Sequence, residues 1–207
     1  MIKTFDEVTE FHGHVCPGSA IGYKAAKIAV EELNIDPSED EEILAIVEND
    51  SCAVDSIQVV LSCTFGKGNL IFNDYGKGVY TIIARDKDKA IRLAMKNSFN
   101  PMKINPKFGE LKEKERNNTI SSQEKEQLKI ITKEVCDYII NMPNEEIFSI
   151  KEVEIAPIEK ANIYKSIICD NCGELTAEHR IKEYKDKNEY KDKKLCIPCY
   201  EEELKNK

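Results

Sequence analysis

Eight cysteines and three histidines carry most of the chemistry available to this 207-residue chain. Four of the cysteines form two Cys-x-x-Cys knuckles, Cys169-Asp170-Asn171-Cys172 and Cys196-Ile197-Pro198-Cys199, separated by 23 residues. Zn²⁺ favours four soft ligands in a tetrahedron, and paired knuckles supply them, so Cys169, Cys172, Cys196 and Cys199 are expected to hold a structural zinc. A gap of this length suits a hairpin with a long tip rich in Lys, Asp and Asn. A helix over Tyr200–Leu204 would make the module a treble clef; without one it is a zinc ribbon. About forty residues bury little apolar surface, so the metal is expected to supply most of the module's folding energy. His179 is an alternative ligand, but four cysteines already fill the tetrahedron.

A second constellation lies in Phe11-His12-Gly13-His14-Val15-Cys16-Pro17-Gly18 and in Asp50-Ser51-Cys52-Ala53-Val54-Asp55. Each segment places a cysteine at the start of an expected helix, where the dipole and free N–H groups favour thiolate, the form that attacks and the form that binds metal. His14 and Cys52 are the main candidate ligands of a second transition metal, Zn or Ni, with Cys16 and His12 assisting. Asp55 reads as a ligand, an orienting partner or a surface charge. In an alternative reading the domain is an enzyme on a small molecule, with Cys52, Asp55 and Lys67 as its catalytic candidates. His14, Cys52 and Lys67 should then line one cavity. Cys63 follows Cys52 by 11 residues. A continuous helix would separate the two by roughly 16 Å along its axis, so Cys63 is grouped with the Gly66-Lys67-Gly68 loop. That loop lacks the Walker frame but has the glycines to offer N–H groups to an anion. Cys136 reads as a small core residue.

The elements that must position these groups are legible in part. Thr4-Phe5-Asp6-Glu7 and Ser121-Ser122-Gln123-Glu124 read as capping boxes. Pro17 suits the first position of a helix with Cys16 as its N-cap and Ile21, Ala25, Ile28, Ala29 and Leu33 on its apolar face. Ile43–Val47 reads as a buried strand and Cys52–Leu61 as a helix. Leu70–Phe72 and Val79–Ile83 read as strands, Asp88–Lys96 as a helix and 97–119 as an irregular surface loop. A long amphipathic helix carrying Leu128, Ile131, Val135, Ile139 and Met142 precedes a last strand, Ser149–Ile155, and a linker at 156–162. The sum is an α+β core domain over 1–160, with mixed helices and a mainly antiparallel sheet, followed by a four-cysteine zinc module over 161–207.

Bulk composition narrows the function classes. Net charge is −8. Residues 161–207 balance ten basic against ten acidic residues, so the whole excess lies on 1–160. Neither part has the basic surplus of a phosphate-backbone binder, which argues against nucleic acid and against a DNA-binding regulator built on the zinc module. No apolar run reaches the roughly 20 residues of a membrane helix. The first residues lack a signal-peptide pattern. A cytoplasmic protein with reduced cysteines is therefore expected.

The chain resembles the FmdE-like family, the E-subunit family of formylmethanofuran dehydrogenase. The resemblance is carried by residues 11–18 with Ile21-Gly22-Tyr23, by Asp50-Ser51-Cys52-Ala53-Val54-Asp55-Ser56-Ile57-Gln58, by Cys63-Thr64-Phe65-Gly66-Lys67-Gly68-Asn69-Leu70 and by Asp74-Tyr75-Gly76-Lys77. It implies an α+β core that forms homodimers and a metal near the His/Cys motif. It also implies association with the subunits of molybdenum- or tungsten-dependent formylmethanofuran dehydrogenase, the oxidoreductase that fixes CO₂ onto methanofuran in methanogenesis. The pterin and formyl-transfer chemistry belongs to other subunits, so the resemblance points to a metal-binding accessory protein.

Overall fold

The computed structural model describes residues 2–156, 158–185 and 192–205. The chain divides into two compact units, Met1–Lys160 and Ala161–Lys207. The first is an α+β domain of mixed helices around a mainly antiparallel sheet.

Its helices start where the sequence places stop-and-start chemistry. Helix α1 (Phe5–His12) opens on Thr4, whose hydroxyl accepts from the Glu7 N–H while Glu7 accepts from the Thr4 N–H. Cys16 caps α2 (Pro17–Leu33), with Pro17 at its first position. Helix α3 (Ala53–Leu61) follows Cys52. Helix α5 (Ser122–Asn141) opens on a second reciprocal box between Ser121 and Glu124.

The sheet contains β1 (Ile43–Val47), β2 (Leu70–Phe72), β3 (Val79–Ala84), β4 (Lys89–Met95) and β5 (Phe148–Glu152), in the order β2-β1-β3-β4-β5. Strands β1 and β2 run parallel, joined through α3, and every other pairing is antiparallel. The expected strands Leu70–Phe72 and Val79–Ile83 both form, but β1 lies between them.

Two segments differ from the sequence reading. The expected helix at 88–96 is strand β4. Lys, Ala, Leu and Met favour a helix locally, but pairing with β3 and β5 on both sides overrides that weak preference. The expected loop at 97–119 holds a 3₁₀ turn at Pro101–Lys103 and helix α4 (Pro106–Arg116). Pro106 starts that helix, with the Asn105 side chain accepting from the Lys107 N–H, and Phe108 and Leu111 are buried.

Helix α2 is the domain's axis and packs against α1, α3 and α5. Its predicted apolar face is buried, but so are Ala20, Gly22, Tyr23, Ala26 and Val30, so the helix is enclosed on nearly every side. Buried Lys24 extends from α2 to α5, where its ammonium donates to the carbonyls of Ile140 (3.0 Å) and Met142 (2.7 Å). These lie at the C-terminal end of α5, where backbone acceptors lack helical partners and a cation is favoured.

The second unit begins with the hairpin β6 (Ser166–Ile168) and β7 (Leu175–Ala177) around the first knuckle. A second hairpin, β8 (Lys182–Tyr184) and β9 (Lys193–Leu195), leads into α7 (Ile197–Lys205), with α6 (Asn144–Ile147) being the short helix before β5. Knuckle, hairpin and helix in that order make a treble clef rather than a ribbon. The expected hairpin tip, at 186–191, lies outside the described residues. Tyr184, Leu195, Cys169, Cys196 and Cys199 form a small buried cluster, with Tyr184 and Tyr200 meeting edge to face at 6.1 Å.

Candidate metal centre

Three helix ends converge on the core cluster. His12 is the last residue of α1, and Gly13, at φ +88°, turns the chain out of the helix. That turn carries the backbone past His14 to Cys16, the N-cap of α2. Cys52 meets it from the start of α3. His12, His14, Cys16 and Cys52 thereby offer ligand atoms that all lie within 4.8 Å of one another. A single transition-metal ion fits that set, since imidazole nitrogen and thiolate sulfur suit zinc and its neighbours.

The imidazole of His12 is fixed from behind. Its Nδ1 lies 2.7 Å from an Asp55 carboxylate oxygen, and its Nε2 lies 3.8 Å from Cys16 Sγ. The other Asp55 oxygen accepts from Gln58 Nε2 at 3.2 Å. A carboxylate on Nδ1 sets the tautomer that leaves Nε2 free to bind metal, the usual support of a metal-ligating histidine. Burial opposes the imidazolium, but the bonds to Asp55 and Cys16 outweigh it and raise the His12 pKa. His14 is held less firmly. It is exposed, and its ring rests against that of His12 with centroids 4.3 Å apart.

The two sulfurs differ in how readily they ionise. Burial disfavours thiolate at Cys16, but the Ser19 N–H and hydroxyl, Cys52 and His12 together lower its pKa. Burial and the nearby Cys16 sulfur raise that of Cys52. Of the two, Cys16 is therefore the readier to give up its proton. Ser19, buried three residues after Cys16, donates its N–H to Cys16 Sγ at 3.4 Å and its hydroxyl to the Cys16 carbonyl at 2.8 Å. Ser56 of α3 then donates to the Ser19 carbonyl at 2.7 Å, tying the two helix starts together.

Glycines set how closely those helices approach. A Cβ at Gly22 would lie 2.1 Å from the Ala53 carbonyl oxygen, and one at Gly18 would lie 3.0 Å from Cys52 Cβ. Both positions lie on the α2 face against which α3 begins. Neither has a positive φ, so glycine is required there for space rather than for backbone conformation.

Beside the cluster is a cavity of about 330 Å³. His12, Cys52 and Asp55 face it, but neither His14 nor Lys67 lines it. Lys67 belongs to a different neighbourhood, where its ammonium donates to the carbonyls of Ser38 (3.1 Å) and Glu39 (3.4 Å). The expected grouping of Lys67 with Cys52 and Asp55 is therefore corrected: the lysine serves to tie the loop after α3 to the turn before β1. The same loop spends its N–H groups internally, Lys67 N–H on Thr64 and Gly68 N–H on Phe65. Cys63 and Cys136 are fully buried, and burial pushes each thiol up to about 12. Cys63 Sγ faces the Ile43 carbonyl at 3.5 Å.

In the second unit, ligand atoms of Cys169, Cys172, Cys196 and Cys199 lie within 4.8 Å of one another. Gly173, at φ +76°, closes the first knuckle with its N–H on the Cys169 carbonyl. The Cys196 N–H donates to Cys169 Sγ at 3.3 Å. Against the cost of desolvation, the N–H groups of Cys172, Cys196 and Asn171 bring Cys169 to about 6. Four sulfurs held this way form a site ready for zinc. His179 is not part of it, its ring stacking on Tyr164 at 3.7 Å.

Of the groups that shape the core cluster, Ser19, Gly18 and Gly22 have roles that the sequence reading did not assign. Ser19 had a signal, the three-residue capping-box spacing from Cys16. The glycines had none, because their neighbours lie more than thirty positions away.

A family model described as FmdE, molybdenum formylmethanofuran dehydrogenase operon, matches residues 11–149. A protein of Archaeoglobus fulgidus described as a probable S-adenosyl-L-methionine-binding protein is 34% identical over 199 residues. That alignment covers 92% of this chain and 50% of the relative, so the chain spans about half the length of the relative. In fold, the chain is similar to a tungsten formylmethanofuran dehydrogenase FmdE-like protein from Syntrophus aciditrophicus. The TM-score is 0.61 at 21% sequence identity, covering 96% of this chain and 92% of that one. The match over 11–149 takes in the whole core cluster and its three helix ends, and the chain belongs to the FmdE family.

Proposed function

We propose that this chain is a metal-binding accessory protein of a molybdenum- or tungsten-dependent formylmethanofuran dehydrogenase. In this reading His12, His14, Cys16 and Cys52 hold one transition metal, Zn or Ni, in the core domain. Cys169, Cys172, Cys196 and Cys199 hold a structural zinc. The observation that carries the proposal is the convergence of four soft or borderline ligand atoms at three helix ends, with Asp55 orienting His12. The protein works as a homodimer and associates with the dehydrogenase subunits that carry the pterin chemistry. Support for that association comes from the family alone.

Elemental analysis of the purified full-length chain tests the metal reading. Two metals per chain are expected, falling to one in a His12→Ala/Cys52→Ala double variant. One metal per chain in both proteins removes the core centre. Co-purification with the dehydrogenase subunits tests the association, and a chain that never accompanies them removes it.

A second reading, an enzyme acting on a small molecule, keeps only the cavity against His12 and Cys52, since the lining by His14 and Lys67 that it required is not met. Cys52 and Asp55 remain its candidates, and Lys67 does not.

A further inference from the structure

The cavity beside the core cluster has a position and a lining that select its occupant. Strands β1 and β2 are the parallel pair of the sheet, and the loop from β1 into α3 passes over their carboxyl ends. Val47 and Phe72, the last residues of β1 and β2, both line the cavity. This is the edge where sheets with parallel connections place their ligands. At about 330 Å³ the space lies at the lower end of the roughly 300–1,000 Å³ of ligand pockets, which suits one ring with a short side arm.

Its chemistry is one-sided. Val47, Val54, Leu70 and Phe72 supply apolar wall, and Phe72 is 45% exposed, leaving part of its ring open to a ligand. No lysine or arginine lines the space, whereas two carboxylates do. Asp55 is committed to His12 and Gln58. Asp50 is exposed and enters no ion pair among the described residues. Asn49 and Ser51 are paired with each other at 2.7 Å, and the Asn49 amide also donates to the Lys77 carbonyl. An anionic ligand would meet two carboxylates and a sulfur ligand with no lysine or arginine to balance them. A cationic head beside an apolar body meets complementary groups at both ends.

We propose that this cavity binds a small primary amine with an apolar or aromatic body, its ammonium paired with Asp50 and its body lying against Phe72, Leu70 and Val54. The proposal deepens the metal-centre reading and rests on it, since His12 and Cys52 form the cavity's inner wall.

Calorimetric titration of the metal-loaded full chain with benzylamine, benzyl alcohol and benzoate tests it, with metal content measured on the same samples. Benzylamine is expected to bind at least ten-fold tighter than benzoate and tighter than the alcohol. Asp50→Asn is expected to erase the amine's advantage over the alcohol with the metal count unchanged, and Phe72→Ala to weaken amine and alcohol alike. Benzoate binding as tightly as the amine overturns the proposal, because the metal then selects the ligand. An amine preference that survives Asp50→Asn overturns it too, as does an absence of amine binding at millimolar concentration. A filled metal centre with no amine preference sinks the pocket alone. A core that never holds metal sinks both readings, and the metal count tells the two failures apart.

Discussion

The chain builds two ligand clusters of equal size on opposite physical terms. In the tail unit, four identical sulfurs close around one point, and few apolar side chains lie behind them. In the core unit, the ligands are mixed, a carboxylate 2.7 Å away orients one of them, and a cavity opens alongside. The core cluster is also backed by an extensive hydrophobic core. The difference teaches what each metal would do. A site that makes its fold needs every coordination position, whereas a site supported by its fold can leave one to exchange.

Metal removal is the strongest way to break this comparison. Zinc binding to small four-ligand modules is worth roughly 10–16 kcal/mol of apparent folding energy at neutral pH. Chelation, or Cys196→Ser, is therefore expected to unfold residues 161–207 while leaving the core domain intact. Limited proteolysis should then release a stable fragment ending near Lys160. If the tail resists protease after complete metal removal, its small apolar cluster suffices and the contrast between the units fails.

The second test separates two histidines that look alike in sequence. His12 has a side chain only 10% exposed and a carboxylate on its far nitrogen, while His14 is exposed, its ring resting against that of His12. Losing an oriented, part-buried ligand should cost the core metal at least about 100-fold in affinity, more than the loss of a ligand free to be replaced by water. His12→Ala is thus expected to weaken metal binding far more than His14→Ala, as read by competition with a chelator. Equal losses would mean that the four ligands share the ion evenly.

This ranking of the histidines shows where sequence reading stops. Cys16 as N-cap, both capping boxes and strand Ile43–Val47 were legible because each depends on neighbours within a few positions. The knuckles were legible for the same reason. His14 was the favoured ligand and His12 an assistant because the partner that raises His12 in importance, Asp55, lies 43 residues away. Lys67 reads from the sequence as a polar partner of Cys52 in the enzyme reading, whereas the turn at Ser38 and Glu39 holds it elsewhere. Strand β4 was masked by helix-forming residues, and α4 by a proline that begins it rather than breaking it. In each of these cases the deciding contact is long-range or positional, and local pattern carries no record of it.

Asp55→Asn sharpens the comparison further, since the carboxylate beside the tail's sulfurs, Glu174, stands off at 3.7 Å from the exposed Cys172 Sγ. The amide keeps the shape but offers a neutral acceptor to His12 Nδ1, and loss of such an outer partner typically costs about 10- to 100-fold in metal affinity. The core ion is expected to weaken by that order while the tail zinc is unchanged. Measuring both ions in one sample makes each the control for the other. An unaffected core ion would reduce the 2.7 Å contact to a structural brace.

The smallest expected change in metal affinity comes from a residue that touches no ligand. Gly22 lies where α2 meets the first residue of α3, and the added methyl of Gly22→Ala would lie 2.1 Å from a backbone oxygen. Backbone cannot move aside as a flexible side chain can, so α3 must shift, and overpacking of this kind costs about 1–3 kcal/mol of stability. Cys52 begins α3, so the shift carries one sulfur away from the other three ligands. The expected result is a lower melting temperature together with a several-fold weaker core ion, the tail zinc again serving as reference. A variant that loses stability but keeps its core ion at full affinity would show that the ligands reassemble after the helix has moved. The core cluster would then share the self-sufficiency assigned above to the tail alone.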